Sequence, residues 1–206
     1  MADEGSTQEV RERLQLIESM IAEGRRQTER WGWTFLLWGI AFYVAVGWSS
    51  WRGAVSLWGS PPWAWPVTMV AASVLTVVIA RRKGRAESIT TAAVATGAIW
   101  ICAGTSMLLV FPALGFTGRL DPHSFVALVG AILAIANGAS GMIYKWRAQI
   151  ACAVIWWATA ILACFGSAAQ VTALFLTAIF FCQILFGIYA MILESRRRRR
   201  VGVTHA

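Results

Sequence analysis

Over most of this chain, apolar and polar positions do not alternate at the period of a surface helix or strand. The apolar residues run on without interruption. Six stretches contain no Asp, Glu, Lys or Arg: residues 31–50, 63–80, 89–111, 124–143, 150–166 and 171–193. A helix needs about 20 residues to cross a hydrocarbon layer, and Gly, Ala, Ser and Thr inside the stretches are what transmembrane helices tolerate. The period-2 alternation of a membrane β-barrel is absent. The pattern predicts an all-α polytopic membrane protein whose six transmembrane helices form one bundle of three helical hairpins, pairing spans one with two, three with four and five with six.

Before the first span the pattern changes. In "STQEVRERLQLIESMIAEGRRQTER", residues 6–30, Ser6 and Glu9 have capping-box spacing. Val10, Leu14, Ile17 and Ile21 follow at 4-3-4 intervals, which places them on one helical stripe, with Glu9, Glu12, Arg13 and Glu23 on other faces. An amphipathic cytoplasmic helix is expected, with Gly24 as a hinge into span one. Its stripe can lie on the bundle or the lipid headgroups, or it can dock a protein partner or a second copy as a short coiled-coil seam. The chain thus divides into residues 1–30, a cytoplasmic helix; 31–193, the transmembrane domain; and 194–206, a basic tail.

Charge adds orientation to this picture. The formal net charge is +8, and the five arginines Arg196 to Arg200 invite a nucleic-acid reading. No folded reading domain accompanies them, and they follow directly on a span, so they are read as a membrane stop. Arg25, Arg26 and Arg30 precede span one. Arg81, Arg82, Lys83 and Arg85 lie between spans two and three, and Lys145 and Arg147 between four and five. The alternate loops hold only Arg52 and Arg119. By the positive-inside rule both termini are cytoplasmic, and the protein is expected in the inner (plasma) membrane as a multi-pass protein. Arg81, Arg82, Lys83, Arg85 and Arg196 to Arg200 are expected to meet anionic lipid headgroups. The first apolar stretch begins at residue 31, too late for a cleavable signal, so span one is expected to stay as an anchor. The preference for Arg over Lys points to a GC-rich bacterial genome.

With 58% apolar and 14% charged residues, the chain has few groups left for chemistry. Cys102, Cys152, Cys164 and Cys182 fall within spans without metal spacing and read as packing residues. Trp48, Trp51, Trp58, Trp63 and Trp65 predict an outer aromatic belt, and Trp31, Trp33 and Trp146 an inner one. Asp121 and Pro122 read as the N-cap and first helical residue of span four, with His123 at its rim. Trp38, Trp100 and Trp156 sit deep in three spans and hint at a repeated hairpin.

The polar residues inside the spans are few. Asn137 lies on a small-residue stripe with Gly130, Ala134, Gly138 and Gly141; Gln183 shares a face with Gly187, Ala190 and Glu194; Ala93, Gly97, Trp100 and Gly104 line span three. These three stripes are expected to meet. Asn137, Ser140, Gln183, Thr105 and Trp100 are the candidate polar intramembrane site, with Ser106 and Thr159 as further hydroxyls, and the amides can glue helices or line a pocket.

No ionisable relay lies within the spans, which argues against a pump or ion-coupled carrier. No His, Asp, Glu or Cys constellation argues for an enzyme, a metal or a cofactor. A non-enzymatic interaction or regulatory component acting through the stripe Val10, Leu14, Ile17 and Ile21 is therefore expected. A passive channel or small-solute transporter using Asn137 and Gln183 is the alternative.

Overall fold

Peptide groups in hydrocarbon find no water, so each apolar stretch must close its hydrogen bonds within itself. In the computed structural model, which describes residues 2–51, 57, 63–83 and 90–203, the apolar stretches are helical, and no strand forms among the described residues. Trp58, Pro61, Pro62, Arg52, Arg85 and Glu87 lie outside the described residues, as do the side chains of Ser6 and Arg200.

The order is α1 (Ala2–Arg30), α2 (Gly32–Ser49), α3 (Ala64–Lys83), α4 (Thr91–Phe116), α5 (Pro122–Ile143), α6 (Arg147–Ala163), α7 (Ala168–Ile179), a π-helical turn (Phe180–Leu185) and α8 (Phe186–Val203). Five helical runs are long and apolar enough to cross a membrane: Gly32–Ser49, Ala64–Lys83, Thr91–Phe116, Pro122–Ile143 and Ala168–Arg199. The sixth, α6, has 17 residues. That is about 25 Å of helix, short of the roughly 30 Å of a typical hydrocarbon core.

Two glycine-mediated contacts hold the bundle. α5 and α6 form an antiparallel pair with the most extensive contact among the described helices. A Cβ at Gly141 would stand 2.8 Å from Ile150 Cγ1 and 2.9 Å from its backbone nitrogen, and one at Gly130 would stand 3.1 Å from the Trp156 carbonyl oxygen. On the other side α2 crosses α8. A Cβ at Gly187 would lie 2.8 Å from the Leu36 nitrogen and 2.9 Å from the Gly32 oxygen. The three small-residue stripes therefore do not converge. That of α5 meets α6, that of α8 meets α2, and Gly97 and Gly104 on α4 face open space.

Between these contacts sits an aromatic core. Trp65 packs on Phe125 at 5.0 Å, Phe125 on Phe175 at 5.6 Å, and Phe42 on Phe175 at 5.6 Å, so α2, α3, α5 and α7 share it. Trp65 is thus a core residue and not part of an outer belt, its indole N–H donating to the Leu57 carbonyl at 2.6 Å. Trp146 leaves the expected inner belt for the same reason: it is buried against Phe186, 5.0 Å away. Trp31, Trp51 and Trp63 do stay exposed.

The far ends of α5 to α7 are pinned by local polar chemistry. Asp121 caps α5 by accepting from the His123 and Ser124 N–H groups, with Pro122 at the first helical position. Hydrogen bonds from Ser124, first its hydroxyl and then its backbone, with His123 adding to them, lower the Asp121 carboxyl to about 2. A charged acceptor therefore persists at the positive end of the α5 dipole. His123 Nε2 reaches the Gly166 carbonyl at 2.9 Å, linking the start of α5 to the end of α6. Ser167 and Gln170 close a capping box at the start of α7.

Other boundaries shift from the sequence reading. α1 is already helical before Ser6, so Glu9 serves no cap and pairs with Arg13 instead. The break before span one falls at Trp31, not Gly24. α4 continues past Pro112 to Phe116.

Gly187→Ala is expected to destabilise the protein by about 1–3 kcal/mol, since the inserted methyl meets backbone on α2. Gly104→Ala, in open space, is expected to be neutral or slightly stabilising. Thermal unfolding of the two variants in detergent checks the contrast.

Candidate functional site

The candidate intramembrane site does not assemble as one pocket. Trp100 donates its indole N–H to Ser140 Oγ at 3.2 Å, joining α4 to α5. Asn137, one turn before Ser140, donates to the Leu133 carbonyl of its own helix at 2.8 Å, so its amide does not bridge to a neighbour. Its Oδ1 is buried with no hydrogen-bond partner. Gln183 lies buried in the π-helical turn, where Gly39 of α2 closes on it, and no hydrogen bond joins it to Asn137 among the described residues. Thr105 and Ser106 point outward from α4, while Thr159 is buried and bonded back to Ile155. Cys182 donates its S–H to the Cys152 carbonyl, whereas Cys102 and Cys164 are exposed. No cluster of three or more His, Cys, Asp or Glu forms among the described residues.

Polar chemistry concentrates instead at the bundle face that carries the ends of α1 and α8. Glu29, on the last turn of α1, is 1% exposed. Arg197 of α8 donates to its Oε1 at 3.2 Å and stands 2.9 Å from its Oε2, while Arg25 Nε stands 3.5 Å from Oε1. A carboxylate so removed from water needs such partners. Arg25 in turn lies over the Trp146 ring, 5.3 Å from its centroid. The root of α1 is thereby fastened to both α8 and the α5–α6 turn.

That turn is Tyr144, Lys145 and Trp146. The Trp146 N–H reaches the Gly141 carbonyl at 2.8 Å and the Lys145 N–H that of Met142 at 3.2 Å, the paired bonds of a Schellman motif. Its left-handed position, usually glycine, is occupied by Lys145 with φ +49°, the one non-glycine residue with positive φ among the described residues. Such a conformation costs about 1 kcal/mol for an L-residue with a Cβ. Tyr144 is buried, its hydroxyl donating to the Ala92 carbonyl at the start of α4 at 3.2 Å, and its ring fills the space beside Gly24. Lys83, at the end of α3, lies 5.0 Å over the Trp33 ring. The basic ends of α1, α3 and α8 and the α5–α6 turn thus gather on one face.

Beyond its root α1 leaves the bundle. Val10, Leu14 and Ile17 are 56%, 55% and 53% exposed, with Ile21 half-buried where the helix approaches the groove beside Tyr144. Two cavities open on this face. One, of about 390 Å³, lies along α8 beside Leu36, Arg196 and Arg199. The other, of about 510 Å³, lies between α1 and the α5–α6 turn. Neither touches Asn137 or Gln183.

Sequence reading passed over Glu29 and Tyr144 as site residues. The available signal was a lone carboxylate in "RRQTER", amid Arg25, Arg26 and Arg30 at a span boundary. Glu29→Leu is expected to loosen the root of α1 and cost about 1–3 kcal/mol. That is less than a fully buried pair loses, because both arginines are partly exposed and can turn to water. Faster hydrogen exchange across residues 24–30, with the α5–α6 pair unchanged, is the expected readout. Compared with known proteins, the chain matches no family model, no curated protein and no solved structure.

Proposed function

We propose that this chain is a non-enzymatic component of a bacterial inner membrane that associates through its N-terminal cytoplasmic helix with a second copy of itself. The observation that carries the reading is the uncovered seam of Val10, Leu14 and Ile17 on a helix whose root is fixed to the bundle. An amphipathic helix held rigidly at its base and left apolar along one stripe is built to be covered by another helix.

The flanking charges select the occupant. With Val10 and Ile17 at d and Leu14 and Ile21 at a, Arg13 falls at g and Glu18 at the following e. In a parallel pair of identical helices, g of one copy faces that e of the other, so each Arg13 meets the partner's Glu18, twice per dimer. Two copies in one membrane send their helices out on the same side, which makes parallel pairing the accessible arrangement. The seam is under two heptads and weak by itself, and confinement to one bilayer raises the effective concentration that it needs.

The same reading takes α6 as a sixth span. Gly141, Gly138 and Gly130 of α5 meet successive turns of α6, and His123 meets Gly166 beyond its end, so α6 runs beside α5 for its whole length. Six crossings bring both termini to the basic face, which the positive-inside rule assigns to the cytoplasm. Thiol labelling of Arg82→Cys and Arg196→Cys is expected on the cytoplasmic side and of Arg119→Cys on the other. Opposite sides for the first two would end the six-span arrangement.

Leu14→Cys is expected to give a disulfide-linked dimer in oxidised native membranes, since a residues face each other across a parallel seam. Adding Ile17→Asp should remove it. Glu18→Arg should weaken the dimer roughly fivefold, for two exposed ion pairs of about 0.5 kcal/mol each, and Arg13→Glu together with Glu18→Arg should restore it. A crosslink indifferent to all of these changes would overturn the proposal.

A further inference from the structure

The groove of about 510 Å³ between α1 and the α5–α6 turn has four cations on its walls: Arg25, Arg26, Lys145 and Arg197. Glu18 lines it too, and Ile21 and Tyr144 supply its apolar surface. These cations are not equally free. Arg25 and Arg197 share Glu29 beneath the groove, and Arg26 lies 3.3 Å from Glu23. Lys145 has no ion pair among the described residues, although it is one of only two lysines in the chain and is exposed at the groove's edge.

Its backbone adds a second, independent observation. A Schellman turn at this place calls for glycine, and Lys145 holds the left-handed conformation at φ +49° regardless. Strain kept at one residue, where a freely available alternative would relieve it, is characteristic of a position that serves a ligand. The depth of the groove identifies the kind of ligand. Tyr144 bonds Ala92 at the root of α4, one turn from where its apolar run begins, so the groove sits at the level where headgroups meet acyl chains.

We propose that this groove binds the phosphate of an anionic phospholipid headgroup, with Lys145 and Arg26 as the direct donors. Arg25 and Arg197 are held in place by Glu29 and supply the surrounding positive field. Guanidinium and ammonium groups together suit a phosphodiester, the first by a planar fork and the second as a compact charge. Ile21 and the Tyr144 ring give the first methylenes of the lipid an apolar surface. A lipid so held rests against both α1 and the α5–α6 turn, and its binding stabilises their contact. The site borders the end of the seam, sharing Ile21 and having Glu18 on its wall, but the phosphate donors Lys145 and Arg26 lie outside the seam, so it stands whether or not the chain dimerises.

The test uses the full chain purified in a neutral detergent and stripped of lipid, with thermal unfolding followed on adding phosphatidylglycerol, phosphatidylcholine or inorganic phosphate. Phosphatidylglycerol is expected to raise the Tm, and the other two are expected to leave it near its starting value. Lys145→Gly separates binding from folding, because glycine suits the turn better. Its lipid-free Tm should equal or exceed that of the parent, while its rise with phosphatidylglycerol falls to roughly half or less. Arg30→Gln, which removes an exposed charge outside the groove, should keep the full rise. Equal loss in both variants would reduce the effect to diffuse surface charge and overturn the site. So would an unchanged rise in Lys145→Gly, and an equal response to inorganic phosphate would overturn the lipid as its ligand.

Discussion

Helices surrounded by acyl chains gain nothing by hiding apolar side chains from one another, since the lipid is as apolar as they are. What holds them is close approach, and close approach requires the absence of a Cβ. Gly141 and Gly130 let α5 lie on the backbone of α6, and Gly187 does the same for α8 on Gly32 and Leu36 of α2. The rest of the molecule follows from these two seams. The rings of Phe42, Trp65, Phe125 and Phe175 fill the space they enclose. α3 packs along α2 and gives Trp65 to this core, and α4 attaches by the Trp100–Ser140 and Tyr144–Ala92 bonds together with contacts such as that of Trp100 on Phe35.

The two ends of this bundle are finished by different chemistry. On the side of Asp121 and Ser167 the chain closes itself mainly by local caps that satisfy free N–H groups two or three residues away, with the His123–Gly166 bond beside them. On the side of Glu29 the bonds are long-range and charged, and they join elements distant in sequence: α1 to α8 through Arg197, α1 to the α5–α6 turn through Arg25 and Trp146. A locally capped end orders itself as its helices form. An end built from charges distant in sequence depends on the packing of the whole bundle to bring its partners together.

The uncharged runs, the cap at Asp121 and Pro122, and the basic clusters were legible in the sequence because each depends on residues close together in the chain. Partnership was not. The stripe around Gly130 and Gly141 announces a close contact but not which helix makes it, and the expectation that it would meet the stripes of spans three and six failed for that reason. Trp65 and Trp146 look identical to belt residues in sequence, and only the packing of Phe125 and Phe186 against them makes them core. Asn137 was a reasonable candidate for a bridge between helices, yet the carbonyl of Leu133, four residues back, satisfies its N–H at no cost in geometry. Glu29 was hidden by its neighbours, since in a highly charged string nothing distinguishes the one residue that turns inward.

The π-helical turn at Phe180–Leu185 has a role in this arrangement that its small size conceals. A helix advances about 100° per residue, so the widened turn, which holds about one residue more than an α turn, resets the phase of everything after it. Before it, Phe175 and Ile179 face the aromatic core; after it, Gly187 and Ala190 face α2, and further on Arg197 faces Glu29. The angular position of the arginine that grips α1 is therefore set in the middle of the last helix, far from the charge it meets. Any event that tightened the turn at Gln183 would rotate Arg197 away from its carboxylate, coupling the interior of the bundle to its charged rim.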